Sequence, residues 1–404
     1  MKKISILLIG TLLFMTSCTQ NMDEGEVVQK DEPEEQTSIV PSQQLAKDNY
    51  KMILPYEPSK ARGVILNQVA NRVDIDEMEE GLRRHSKETF DPEKYYFQEG
   101  QYLTEDIVYD WLGRLPTKKQ LEEKVEEEIA RLKDRKMNVD EKKIRKELQQ
   151  GLNPEISDGA EQKEYRDSPR YLSHILEQNF LLRKEDKSVE LAGISIGLAM
   201  KSVYRFETET AGPYYEDISK DEMMKKANEV AEKVIDRIRG MDGLENVPIM
   251  IAIFREEAQS SPVPGNFVAK TNVAGGETAV GKWESIKEEH ILFPSSEGKE
   301  KYFDDHEIVK NFGNKIAEFF PNYVGVIGEG FYVDKDLQRL TIEIPIEFYG
   351  KGEVLGFTQF AYGLVQEMFK NYYDLEINIT SSNNMESLIY WKAGEETPTI
   401  HIFH

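Results

Sequence analysis

The chain has one cysteine, Cys18, among 404 residues, so no internal disulfide can form and stability rests on packing. Positive charge is also short: 51 Lys and Arg stand against 74 Asp and Glu, a formal net charge of −23. A surface this acidic repels phosphate backbones and anionic headgroups, so no nucleic acid is expected as a partner. Histidine is sparse, at His85, His174, His290, His306, His401 and His404. None makes the i,i+4 pair with a nearby Glu that holds zinc on a helix, and neither metal nor cofactor is expected. The stretch Gly276-Glu-Thr-Ala-Val-Gly281-Lys282 starts like a phosphate-binding loop but fails at Trp283, where a hydroxyl must hold magnesium. No apolar strand runs directly into Gly276, and the stretch reads as a Gly-rich loop. No residue is assigned a catalytic role.

An apolar run opens the chain within residues 1–18, MKKISILLIGTLLFMTSC. Lys2 and Lys3 form a basic opening, and residues 4–14 are apolar but shorter than the roughly 20 residues a spanning helix needs, as in a secretory signal. Met15-Thr16-Ser17-Cys18 then reads as a bacterial lipobox. Small residues before the cysteine admit a signal peptidase that cuts between Ser17 and Cys18, and the thiol accepts a diacylglyceryl group. A lone cysteine elsewhere would read as a small buried hydrophobe; its place here makes it a lipid attachment site. Two acyl chains hold the membrane stably, because each buried CH2 contributes about 0.8 kcal/mol. The expected location is the outer face of the cell membrane, with the membrane reached through lipid on Cys18. Residues 18–50 are acidic and lack aromatics up to Tyr50, the composition of a flexible tether.

Order is expected from residue 51. Apolar spacing predicts helices over 74–86 and 104–112. Thr117 to Gln120 is a capping box opening a charged helix, and a second helix stops before Gly151. Residues 189–206 form a β-rich run. Ser219 to Glu222 opens a helix with its apolar stripe at Met223, Ala227, Val230, Val234 and Ile238, ended by Gly240. Residues 247–254 read as a buried strand and 266–273 as a further one. The order returns near the C-terminus: strands over 323–333 and 338–349, a helix over 354–369, and strands over 375–379, 388–391 and 399–403. Pro345 points to an edge strand or a bulge. The expected fold is α+β, two α/β halves of similar strand-helix-strand order with mainly antiparallel sheets, preceded by a helix-rich N-terminal region. The boundaries are 1–17 signal peptide, 18–50 tether, 51–187 helix-rich region, 188–320 first half and 321–404 second half, with the Gly- and Pro-rich residues 262–294 as an excursion between the halves.

Two aromatic groups, Tyr95, Tyr96, Phe97 and Tyr102, and Phe369, Tyr372 and Tyr373, read as core packing or as the lining of a groove. With these residues in view, the chain resembles the CamS family of sex pheromone lipoproteins. The resemblance is carried by the lipobox at Cys18, the acidic tether, Tyr171-Leu-Ser-His-Ile-Leu-Glu-Gln, Leu191-Ala-Gly-Ile-Ser-Ile-Gly-Leu-Ala, and the run from Gly330-Phe-Tyr-Val to Ile346-Glu-Phe-Tyr-Gly. It implies a secreted lipoprotein of Gram-positive type whose signal end, residues 11–17, TLLFMTS, is released as a conjugation pheromone. The family supplies no catalytic residues. The body is then expected to be a non-enzymatic binding or interaction module, with a peptide or protein partner left open. The alternatives are an extracytoplasmic enzyme acting on cell-wall material and a solute-binding lipoprotein, the latter disfavoured by the antiparallel-type alternation through Leu340, Ile342, Ile344, Ile346 and Phe348.

Overall fold

A computed structural model describes residues 26–30, 38–40, 49–64, 73–185, 188–320, 325–348, 350–382 and 384–403. The signal residues 1–17, the cleavage point at Ser17 and the lipid site Cys18 lie outside the described residues, as does His404. Within the expected tether, β1 (Glu26–Lys30) pairs antiparallel with β2 (Ser38–Val40).

The first sheet continues with β3 (Lys51–Met52), β4 (Tyr96–Glu99), β5 (Leu172–Arg183) and β6 (Ser188–Met200). After a small hairpin of β7 (Val203–Phe206) and β8 (Tyr214–Asp217) come β9 (Ile249–Arg255), β10 (Asn266–Val273) and β11 (Glu284–Ser285). The order across this sheet is β11-β10-β9-β6-β5-β4-β3, with β1 beside β6. Six further strands form the second sheet in chain order: β12 (Glu288–Phe293), β13 (Ile327–Val333), β14 (Asp336–Pro345), β15 (Asp374–Ser381), β16 (Asn384–Trp391) and β17 (Thr399–Ile402).

Nine helices occur among the described residues. In the first part these are α1 (Val73–Ser86), α2 (Glu105–Leu112), α3 (Lys118–Asp134), α4 (Glu141–Leu148), α5 (Gln162–Asp167) and α6 (Lys220–Arg239), and in the second α7 (Ser296–Lys301), α8 (Phe303–Ala317) and α9 (Lys351–Met368). The caps form as their sequences dictate. Thr117 and Gln120 exchange both bonds of a capping box at α3, and the Ser219 hydroxyl accepts the Glu222 N–H at α6.

The two sheets repeat one topology. In the first, β4-β5-β6 are antiparallel neighbours, α6 lies between β6 and its parallel neighbour β9, and β10 and β11 follow antiparallel. In the second, β12-β13-β14 are antiparallel, α9 lies between β14 and its parallel neighbour β15, and β16 and β17 follow antiparallel. The sheets are therefore mixed, each with one strand-helix-strand crossover, the connection that parallel strands require. They divide the chain at Ile286-Lys287 rather than at the expected residue 320, and the first begins well before residue 188. Residues 262–294, expected as an excursion, hold β10, β11 and β12. Pro345 ends an interior strand: β14 lies between β13 and β15 and stops there, so the missing N–H falls at its end.

Alternation on β6 explains how the first sheet is covered. Ile194, Ile196, Leu198 and Met200 join one core with Met223, Ala227, Val234 and Ile235 of α6. The intervening Gly193, Ser195, Gly197 and Ala199 leave room on the other face, where Met78 and Leu82 of α1 pack with Ala199 and Phe254. A Cβ at Gly193 would lie 2.1 Å from Phe90 Cε1. On the second sheet Leu340, Ile342 and Ile344 are buried under α8 and α9 while Thr341 and Glu343 stay partly exposed, the one-sided burial that produces the alternation read in the sequence.

Candidate functional site

Charged groups converge on α1, VDIDEMEEGLRRHS. An ordinary amphipathic helix buries one stripe; α1 buries Met78 and Leu82 and also Asp74, Glu77 and His85. Asp74 is 0% exposed, and its Oδ1 accepts the Gly265 N–H at 2.6 Å while Oδ2 has no partner among the described residues. Burial pushes this carboxyl up to about 7, with Glu256 and Glu257 adding to the rise against the Gly265 bond. Because the folded state holds the proton more tightly than the unfolded chain, stability is full in acid and is lost as pH rises from about 4 through about 7. Asp74→Asn should flatten that dependence: in urea titrations the variant gains about 2–4 kcal/mol over the parent at pH 8 and gains little or nothing at pH 4.

The C-terminal turn of α1 meets the second sheet. Arg84 Nη2 lies 2.7 Å from Glu77 and 3.1 Å from Glu288 on β12, and its guanidinium sits 4.6 Å from the centre of the Phe331 ring. His85 Nε2 is 3.0 Å from Glu288, and His290 stands between Glu329 at 2.8 Å and Glu77 at 3.6 Å. Burial alone would push Glu77 up, but His290 and Arg84 outweigh it and hold the carboxyl at about 2. Glu288 is lowered in the same way, against its burial, by His85 and Arg84. Burial likewise opposes charge on His290, and Glu329 with Glu77 raises its pKa regardless. These charges answer one another across the junction of the two sheets.

A cavity opens on another side of α1, where β4 leaves β5. Tyr96–Glu99 pairs with β5 down to Gln178; the chain then turns at Gly100, where a Cβ would lie 2.6 Å from Glu177 Cβ. The buried Glu177 carboxylate fills the gap by accepting the N–H groups of Gln101 at 3.0 Å, Tyr102 at 3.1 Å and Leu103 at 2.6 Å. Burial still leaves this acid above the usual range despite the three donors. The adjoining cavity, about 80 Å3, is lined by Arg62, by Glu79 and Arg83 of α1, Phe97 and Glu99 of β4, and His174 and Gln178 of β5. Glu99 accepts from Tyr56 Oη at 2.5 Å and from the Ser59 N–H at 2.6 Å, and Arg62 donates to Tyr56 Oη at 3.1 Å. Burial drives His174 down to about 3, so its ring is neutral.

The predicted candidates are dispersed. His306 is buried in α8 and His401 is exposed on β17; His85 and His290 meet at the sheet junction, and His174 lines the cavity. Among the described residues no group of three His, Cys, Asp or Glu side chains is placed to hold a metal ion. Residues 276–282 lie in the connection between β10 and β11, mostly exposed, and no helix follows. Of the aromatics, Phe97 belongs to a core with Phe90 and Phe180 and also walls the cavity, Tyr373 is buried and Tyr372 is exposed. Glu79, Arg83, Glu177 and Gln178 were missed by sequence reading. The signal for Glu177 and Gln178 lay in Tyr171-Leu-Ser-His-Ile-Leu-Glu-Gln, a strand segment with polar groups on both faces; Glu79 and Arg83 carried none.

A family model described as CamS sex pheromone cAM373 precursor matches residues 56–397. The crystal structure of a sex pheromone precursor from Lactobacillus salivarius subsp. salivarius is 28% identical, with a TM-score of 0.78 over 91% of this chain and 99% of that one. The C-terminal domain of the sex pheromone staph-cAM373 precursor from Staphylococcus aureus is 30% identical, with a TM-score of 0.67 over 83% of this chain and 99% of that one. No curated protein matches.

Proposed function

The chain belongs to the CamS sex pheromone precursor family, and from that premise we propose that it is a lipoprotein held at the outer face of the membrane through Cys18, whose signal end releases TLLFMTS and whose body is a non-enzymatic binding module. The observation that carries the anchoring is the order of residues 1–18: two lysines, an apolar run, then Thr16 and Ser17 directly before the lone cysteine. The binding role of the body is supported by the way its buried charges are spent, on backbone N–H groups at Glu177 and on one another around Arg84.

Cells fed labelled palmitate should label the parent chain and leave Cys18→Ala unlabelled; label surviving the substitution overturns the anchor. Synthetic TLLFMTS should induce clumping of plasmid-donor cells, and its failure to do so would remove the pheromone product while leaving the anchor in place.

A further inference from the structure

The cavity beside α1 holds separated charges of both signs. Glu79 and Arg83 are four residues apart on one helix, Glu first, the spacing and order that ordinarily close into an ion pair. Both line the cavity, yet they do not pair: among the described residues neither has an ion-pair partner within 4.0 Å, and Arg83 instead lies 5.6 Å from the centre of the Phe97 ring. A second observation is independent of charge. Gln178, 3% exposed, turns its Nε2 to the Glu79 carbonyl at 2.8 Å and leaves Oε1 without a donor, and His174, 2% exposed, has Nδ1 without a partner. A buried polar atom left unpaired is costly; on this cavity wall Gln178 Oε1 calls for a donor, and His174 Nδ1 for a donor or an acceptor according to its tautomer.

We propose that this cavity is a binding site for a small zwitterion of the α-amino acid class, its ammonium between Glu79 and Gln178 Oε1 and its carboxylate on the Arg83 guanidinium. A lone cation would leave Arg83 unanswered, and a lone anion would meet Glu79 and Glu99 and leave Gln178 Oε1 bare. Size sets the class of side chain. About 80 Å3 exceeds the ~30 Å3 share of one water but falls short of the ~150 Å3 that admits a benzene ring, so glycine or alanine fits and an aromatic amino acid does not. Planar guanidinium favours carboxylate, which it can meet through two parallel hydrogen bonds.

This rests on the reading of the body as a binding module and is independent of the anchor and the released peptide. Calorimetric titration of the full chain in detergent with glycine should show millimolar binding, with acetate and methylammonium, each carrying half the charge pair, at least about tenfold weaker. Glu79→Gln and Arg83→Gln should each weaken glycine at least about tenfold without lowering the melting temperature, and Lys225→Gln, on the exposed face of α6, should not. Glycine that fails to bind at tens of millimolar, or that binds both cavity variants as well as the parent, overturns the site; palmitate labelling and the response to TLLFMTS are unaffected by either result.

Discussion

Glu177→Ala should destabilise the fold by about 3–5 kcal/mol, since it takes the acceptor from the half-buried N–H groups of Gln101 and Tyr102 and the buried one of Leu103, a stranded buried donor costing about 1–3 kcal/mol, and empties the space beside Gly100. The full sum is not reached, because water can enter a polar gap of this kind. Urea unfolding would report the loss as a lower midpoint at unchanged slope, and amide exchange at residues 101–103 should accelerate before the rest of the sheet. Glu177→Gln keeps the volume but turns two donors toward three donors, so it should recover only part of the loss. A cost for Glu177→Ala below about 1 kcal/mol would mean that the segment after β4 is held by something other than this carboxylate.

The second large effect belongs to Arg84→Ala, which leaves Glu77 and Glu288 buried without their shared cation and uncovers the Phe331 ring. Removing one partner of a buried pair costs about 3–5 kcal/mol. Because the site joins the two sheets, scanning calorimetry should show one transition for the parent and two for the variant. The pH dependence has a definite sign. The raised His290 contributes stability in acid, and that contribution is lost as pH climbs through its folded pKa; Glu77, held at about 2, contributes until strong acid protonates it. In Arg84→Ala each carboxylate loses one of the two groups that lower it and keeps its histidine, so the deficit should narrow toward acid, where they can take up protons. A deficit that instead widened toward acid would place the important contact elsewhere.

How much of this could be read in the sequence depended on whether a segment follows its own periodicity. α6 and β14 did, because each buries one face, and their stripes at Met223 to Ile238 and Leu340 to Ile344 were legible. β5 was not, because Ser173, His174, Glu177, Gln178 and Asn179 are all buried within it, and a strand with polar groups buried on both faces carries neither an apolar run nor an alternation. β12, EEHILF, was hidden for a related reason: Glu288 and His290 are there to meet Arg84, His85 and Glu77, partners 200 residues away that no local pattern announces. The repeat of topology was visible as pattern, but the division between the sheets was not, because β12, which opens the second sheet, was hidden. The cavity was illegible for a simpler reason: Glu79 and Arg83 look like any solvated i,i+4 pair until the fold places them apart.

Every strand of the first sheet precedes Ile286, every strand of the second follows Lys287, and only these two residues separate β11 from β12. Folding can therefore proceed vectorially: as the chain emerges from its N-terminus, the first sheet and α1 can close before any of the second exists, with Glu77 and Arg84 already salted to each other. The connection to β12 is only two residues long, so once the first sheet has closed, Glu288 and His290 are tethered within short reach of that charged surface and the joint between the sheets needs no long loop closure.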